Sequence, residues 1–234
     1  MAFLSGQDMT GGYTGTDILR GCTVEVEKGE ISVVVGPNGA GKSTAMKAVF
    51  GMLVLRRGKV ILDGEDITGL PPQLRVARGM SLVPQTHNVF ASMTVEENLE
   101  MGGVTRAQGV AETIGEVFEL FPVLAEKRRQ PAGELSGGQR QQVAVGRALM
   151  TKPSVLILDE PTAGVSPIVV HELFDKVIEI AHRGVAILMV EQNAQQALAI
   201  ADTGYVLVQG ENRFTGSGRA LLADDEVRMS FLGG

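Results

Sequence analysis

The chain has one cysteine, Cys22, so no disulfide can form within it, and a lone thiol suits a reducing compartment. Cys22 opens the alternating run Cys-Thr-Val-Glu-Val-Glu27, which reads as a strand with the thiol buried as a structural group. Histidine is scarce as well: His87, His171 and His182 are scattered, none at metal-ligand spacing, and surface or packing roles are expected for them. Positive charge is short, with 21 Lys and Arg against 27 Asp and Glu and a formal net charge of −6. That balance argues against a dominant nucleic-acid surface, though not against a local one. Lys127-Arg-Arg129 reads as a solvated turn rather than a nucleic-acid patch. No basic-then-apolar export signal opens the chain, and no apolar run approaches the ~20 residues that span a bilayer. An intracellular protein is expected, with any membrane link made through a partner. Internal repeats and low-complexity tracts are absent too. What is present is an ordinary globular composition, 44% hydrophobic and 21% charged over 234 residues. This suffices for one large domain, or one domain with an inserted subdomain.

Gly36-Pro-Asn-Gly-Ala-Gly-Lys-Ser-Thr44 fits the phosphate-binding pattern G-x-x-x-x-G-K-S/T. It follows Ile31-Ser-Val-Val-Val35, an apolar β-branched run typical of a buried parallel strand, and precedes a short helix expected over 44–51. Gly36, Gly39 and Gly41 allow backbone N–H groups to converge on an anion at the helix N-terminus. Lys42 supplies a charge for the β- and γ-phosphates, and the Ser43 hydroxyl a ligand for Mg²⁺.

Around this loop, residues 1–30 hold two strand-like segments separated by Gly11-Gly-Tyr-Thr-Gly15, and 59–63 reads as a further strand. A helix over 70–78 carries Pro71 and Pro72 in its first turn, where missing N–H groups cost least. Met80-Ser-Leu-Val83 is a strand stopped by Pro84. From about 85 to 151 helical periodicity replaces strand patterns, with Ile114, Val117, Phe118 and Phe121 along one face and Pro122, Pro131 and Gly133 as punctuation. Thereafter strands at 154–158, 185–190 and 205–208 alternate with helices at 169–181 and 194–201, as in a parallel sheet with right-handed crossovers. Asp224-Asp-Glu226 reads as a solvated helix start.

Asp159 and Glu160 stand at the C-terminal end of a buried strand, the edge where α/β sheets place their ligands. An aspartate there can hold Mg²⁺, and a glutamate one residue on can deprotonate a water aimed at a γ-phosphate. Two acids in that position also suit a helix cap, but the upstream phosphate loop favours the catalytic reading. Leu135-Ser-Gly-Gly-Gln139 sets a hydroxyl and two glycines before a helix expected over 139–150, ready to bind a second anion, whereas Ser136 alone would make a simple N-cap.

Taken in this order, the phosphate loop, Leu-Ser-Gly-Gly-Gln and Leu-Ile-Leu-Asp-Glu-Pro161 resemble the nucleotide-binding subunit of an ABC transporter over nearly the whole chain. The resemblance implies an α/β P-loop NTPase (RecA-like) core with an N-terminal antiparallel β subdomain and an inserted helical subdomain. As one ABC ATPase domain over 1–234, the core and C-terminal extension take 1–86 and 152–234, and the helical insert 87–151. It implies ATP and Mg²⁺ as ligands, with residues 36–44, Pro37, Asn38, Ala40 and Thr44 among them, around the phosphates. Tyr13 would stack on adenine. Gln85 would link Mg²⁺ and the attacking water to a transmembrane partner, and Asp159 and Ser43 would hold the metal. The family works as a head-to-tail dimer, so Ser136, Gly137, Gly138 and Gln139 would close over ATP held by a second ATPase subunit, identical or a sister chain. Gln192 stands where the family carries its switch histidine; it can donate a hydrogen bond to the γ-phosphate but cannot carry a proton or positive charge. Ser166 stands where many relatives have aspartate. Either change can slow hydrolysis; neither removes Glu160 or the metal site.

Asp-Gly-Glu-Asp-Ile-Thr-Gly-Leu, Thr-Val-Glu-Glu-Asn-Leu, Val-Glu-Gln-Asn and the closing Phe-Leu-Gly-Gly234 further resemble an ATPase subunit of branched-chain amino-acid importers. That resemblance implies transmembrane permease subunits, an external solute-binding protein acting indirectly, no nucleic acid, and a peripheral place on the cytoplasmic face of the cell membrane. Urea and short-amide importers share much of the pattern and remain an alternative, as does a non-transport ABC regulatory ATPase. A phosphate-loop kinase leaves the Leu-Ser-Gly-Gly-Gln element unexplained. The segment 86–93 is a plausible dock for a permease helix, with Phe90 either serving it or packing on the helical subdomain.

Overall fold

Five strands with apolar residues on both faces make the centre of the molecule. A computed structural model describes residues 2–13, 15–106 and 108–231, so the final Leu232-Gly-Gly234 lies outside the described residues. In chain order the elements are β1 (Leu4–Gly11), β2 (Leu19–Val26), β3 (Ile31–Val35), α1 (Lys42–Val49), β4 (Arg57–Leu62), β5 (Glu65–Asp66), α2 (Pro72–Ala77) and β6 (Met80–Val83). There follow α3 (Val95–Gly102), α4 (Val110–Leu120), α5 (Pro122–Glu126) and α6 (Gly137–Leu149). The chain closes with β7 (Val155–Asp159), α7 (Pro167–His182), β8 (Ala186–Val190), α8 (Ala194–Ala199), β9 (Thr203–Val208), β10 (Glu211–Gly216), α9 (Gly218–Ala223) and α10 (Asp225–Phe231).

One sheet has the order β2-β1-β4-β5 and is antiparallel; the other runs β10-β9-β3-β8-β7-β6, parallel except for the edge strand β10. The period-two alternation of β-strands sorts the parallel strands' side chains into two cores. Ile31, Val33, Val35, Leu156, Leu158, Ile187 and Met189 face α6, α7 and α8, while Val34, Val155, Ile157, Leu188 and Val190 face α1 and the antiparallel sheet. Cys22 is fully buried in the second core, as its alternating run leads one to expect, and burial pushes its thiol up to about 12.

Several elements differ from the sequence pattern. The helix after the glycine loop begins at Lys42, not residue 44, because Gly41 takes the left-handed conformation that closes the loop. Between residues 95 and 126 the described residues form three helices, where periodicity picks out only the stretch 111–121. α3 starts at a capping box: Thr94 Oγ1 accepts from the Glu97 amide at 3.2 Å, and Glu97 Oε2 accepts from the Thr94 amide at 2.7 Å. Pro122 opens α5 at its first turn instead of breaking a helix. β10 escapes a hydrophobic reading because it is a polar edge strand, exposed at alternate residues. Phe90 lies with the Arg147 guanidinium carbon 4.9 Å from its ring centroid and stays 43% exposed. Its backbone is tied to buried Asn98 through both N and O.

Candidate functional site

The strand register gathers the chemistry at one edge. Val34 pairs with Val190, Asp159 with Val190, and Val83 with Leu158, so β3, β8, β7 and β6 end side by side. Being parallel, they bring the residues that follow them, Gly36, Glu191, Glu160 and Gln85, to the same C-terminal rim.

The glycine loop leaves β3 through Gly36, whose φ is 147° and whose Cβ, were there one, would lie 2.2 Å from the Leu207 carbonyl oxygen. No other residue fits there without moving β9. The Lys42 ammonium folds back to donate to the carbonyls of Gly36 at 2.8 Å and Pro37 at 3.2 Å. Burial pushes its pKa down, against the opposing pull of Glu160, Asp159 and Glu191. The Ser43 hydroxyl donates to Asp159 Oδ1 at 3.2 Å. Burial raises the Asp159 pKa, and the Ser43 bond with the charges of Lys47 and Lys42 pulls it back. A hydroxyl beside a carboxylate is the hard oxygen pair a Mg²⁺ ion takes when phosphate oxygens and water complete its shell. Among the described residues no group of three or more His, Cys, Asp or Glu could cage a metal unaided.

A cavity of about 270 Å³ is lined by Ile18, Asn38, Gly39, Ala40, Gly41, Lys42, Ser43, Thr44 and Glu160. A second, of about 370 Å³, lies between the loops that follow β7 and β8 and includes Glu160, Thr162, Glu191 and Gln192. Glu160 therefore stands in the wall of both. Its φ of 45° is left-handed, a strained state for a non-glycine residue.

The remaining expected residues fall around this centre. Gln85 donates to Glu160 Oε2 at 2.7 Å, so its amide meets the glutamate directly. Gln192 donates to Asn38 Oδ1 at 3.3 Å, joining the loop after β8 to the glycine loop. Tyr13 is 43% exposed, with the Lys47 ammonium 6.0 Å from its ring centroid, and is not part of the cavity wall. Ser136 caps α6 in a capping box with Gln139. None of Ser136, Gly137, Gly138 and Gln139 reaches the cavity at the glycine loop; Gly138 is packed so closely that a Cβ there would meet Val169 Cγ1 at 2.2 Å. Ser166 is the N-cap of α7 without a side-chain capping bond.

Glu191, Thr162 and Ile18 were not legible as site residues. Glu191 is 1% exposed and accepts from the Thr162 amide at 3.0 Å and the Gln192 amide at 3.1 Å. The available signal was an acid directly after a wholly apolar strand, the same signal that marks Asp159 and Glu160. Ile18 carries no sequence signal; the turn between β1 and β2 brings it to the cavity.

Residues 19–163 match the ABC transporter family. The chain is 42% identical over 223 residues to the high-affinity branched-chain amino acid transport ATP-binding protein BraG of Pseudomonas aeruginosa, covering 95% of this chain and 96% of that protein. It is 41% identical to the probable branched-chain amino acid transport ATP-binding protein LivF of Archaeoglobus fulgidus, covering 96% of each. The lipopolysaccharide export system ATP-binding protein LptB of Escherichia coli K12 is 32% identical over 100% of this chain and 98% of its own. Among solved structures, the ADP conformation of an ATP-binding cassette of an ABC transporter superposes with a TM-score of 0.88 at 30% identity, covering 100% of both chains.

Proposed function

The chain belongs to the ABC transporter family of ATP-binding proteins, whose members hydrolyse ATP to drive transport, and from that premise we propose that it energises uptake of branched-chain amino acids through partner permeases. The observation that carries the chemistry is the wall of the glycine-loop cavity, where Lys42, Ser43 and Glu160 meet beside Asp159. The loop amides and Lys42 hold the triphosphate. Lys42 donates to the carbonyls of Gly36 and Pro37, which holds its charge at the loop. Ser43, Asp159 and Gln85 would hold Mg²⁺, which would supply positive charge against the phosphate oxygens. Glu160 takes the proton of the attacking water, and Gln192, with only an amide to offer, donates to the γ-phosphate without a change of charge. Tyr13 stacks on adenine from the rim.

We take Ser136–Gln139 as the complement of another subunit's site; their absence from this chain's own cavity supports a head-to-tail dimer. The same reading divides the chain at 1–86, 87–151 and 152–234, the middle segment bearing α3 to α6 and the permease contact. Among the described residues no helix is long and apolar enough to cross a membrane; a peripheral place at the cytoplasmic face, held by the permeases, belongs to the same reading. Branched-chain amino acids are favoured as the cargo by the 42% and 41% identities to BraG and LivF. LptB, at 32% over the whole chain, supports export as the second reading.

Glu160→Gln tests the chemistry. The amide keeps the shape and can still meet Gln85, so ATP binding persists while turnover falls by about 10²–10⁴, the worth of a general base. Unchanged hydrolysis would overturn the assignment. Reconstitution with the permeases separates the cargo readings, since leucine uptake driven by ATP supports import and its absence with lipid movement supports export.

A further inference from the structure

We infer that Glu191 is a positioning residue for ATP hydrolysis: its buried carboxylate locks the turn that carries Glu160 to the end of β8, next to the strand that carries the phosphate loop. The inference rests on the reading of Glu160 as the base.

Glu191 follows β8 directly and is 1% exposed, yet it makes no ion pair among the described residues. A carboxylate so placed is costly unless its oxygens are satisfied. Both are, and by backbone amides. Oε2 accepts from the next residue, Gln192, at 3.1 Å, which fixes the side chain's direction. Oε1 reaches across to the Thr162 amide at 3.0 Å, in the loop after β7. Its own amide donates to the Val34 carbonyl at 3.1 Å, on the strand leading into the glycine loop. One residue thus joins two loops at the sheet's rim, through its carboxylate, and the end of β3, through its backbone amide.

What it holds is a turn that would otherwise relax. Glu160 has a φ of 45° and is followed by Pro161, and the Ala163 amide donates to the Glu160 carbonyl at 3.1 Å to close the turn. A non-glycine residue keeps a left-handed backbone only when its surroundings over-determine it. The Glu160 amide is tied to the Val190 carbonyl at 2.9 Å and Thr162 to Glu191, so both sides of Pro161 are pinned to the end of β8. With Thr162 released, the turn can rotate about its remaining tie and swing the Glu160 carboxylate off the water it must reach. A misplacement of about 1 Å costs on the order of 10²-fold in rate.

Glu191→Gln has nearly the same volume but presents an amide NH₂ where one of two backbone N–H groups needs an acceptor, so one link is lost. On the full chain we expect kcat to fall about 10- to 100-fold, with KM for ATP and binding of a fluorescent ATP analogue within about twofold of wild type. The discriminating measurement is the double variant. In the Glu160→Gln background, adding Glu191→Gln changes the residual single-turnover rate by less than about twofold, because the group it aims is already disabled. Additive losses, or parallel losses in binding and kcat, would overturn the inference in favour of a general structural role. If Glu191→Gln fails to fold, Glu191→Asp, one methylene too short to bridge the loops, carries the same comparison. A drop in Glu160→Gln with none in Glu191→Gln defeats this inference alone; full activity in Glu160→Gln defeats the reading beneath it.

Discussion

Arg75→Met should destabilise the protein by about 3–5 kcal/mol, though Arg75 does not line the glycine-loop cavity. Arg75 lies on α2 and is 1% exposed. Its guanidinium donates to four carbonyls: Val49 at 2.6 Å, Ala48 at 3.2 Å, Thr68 at 2.8 Å and Leu70 at 2.9 Å. Ala48 and Val49 are the last residues of α1, where helix carbonyls lack intrahelical donors and a cation is favoured. Burial lowers the Arg75 pKa to about 10, a measure of how little water reaches the charge. Methionine preserves the apolar stem and removes every donor. The Ala48 carbonyl keeps a bond from the Gly51 amide, leaving the carbonyls of Val49, Thr68 and Leu70 stripped of their donor. Each costs about 1–3 kcal/mol if it stays dry. Taking the low end for the two at the partly exposed Thr68 and Leu70, and recovering some of the guanidinium's desolvation, gives the range stated. For a chain of this size that is a fall of roughly 6–20 °C in melting temperature. Urea unfolding would show the midpoint drop at constant m-value, and Arg75→Lys should fall between, since an ammonium cannot span four carbonyls. A loss below about 1 kcal/mol would refute the reasoning, by showing that water satisfies those carbonyls.

Gly36→Ala should abolish ATP binding measured by calorimetry and destabilise the fold by about 3 kcal/mol or more, since its Cβ would strike the Leu207 carbonyl at 2.2 Å from a backbone φ of 147°. Tyr13→Ala should raise KM for ATP roughly tenfold, corresponding to about 1–2 kcal/mol of base stacking, with kcat unchanged. Cys22 should resist alkylation at pH 8 until the protein is unfolded. Because its folded pKa of about 12 exceeds the unfolded value near 9.0, the native state retains the proton longer, so this group's contribution to stability falls as pH rises between those values and is constant below them. Denaturant titrations of wild type and Cys22→Ala from pH 8 to 10 check the sign: the wild type alone should carry that slope.

The loop, the two acids at the end of β7 and the central strands were legible because their signals are local. A glycine that must take positive φ, a run of five apolar residues, or an acid at its end can each be recognised within a few positions. The helices between 95 and 126 were only partly legible. α3 is announced by Thr94 and Glu97, a cap rather than a hydrophobic stripe, and α5 begins at a proline that reads as a stop. The strand β10 is a polar edge, paired on one side only, so burial never imposes an apolar pattern on it.

By itself the sequence determined which residues can bind phosphate, activate water and form strands buried on both faces, since these depend on side-chain chemistry and short-range backbone geometry. The tertiary structure decided how they meet. The parallel register of β3, β8, β7 and β6 brings residues far apart in the chain to one rim, so that Ser43 meets Asp159, Gln85 meets Glu160 and Gln192 meets Asn38. It also placed Glu191 in the interior with both oxygens taken by amides of two loops, and left Ser136–Gln139 outside the cavity of their own chain. The reason is that long-range pairing is set by packing the whole sheet between its two cores, a sum over many contacts that no single stretch of sequence encodes.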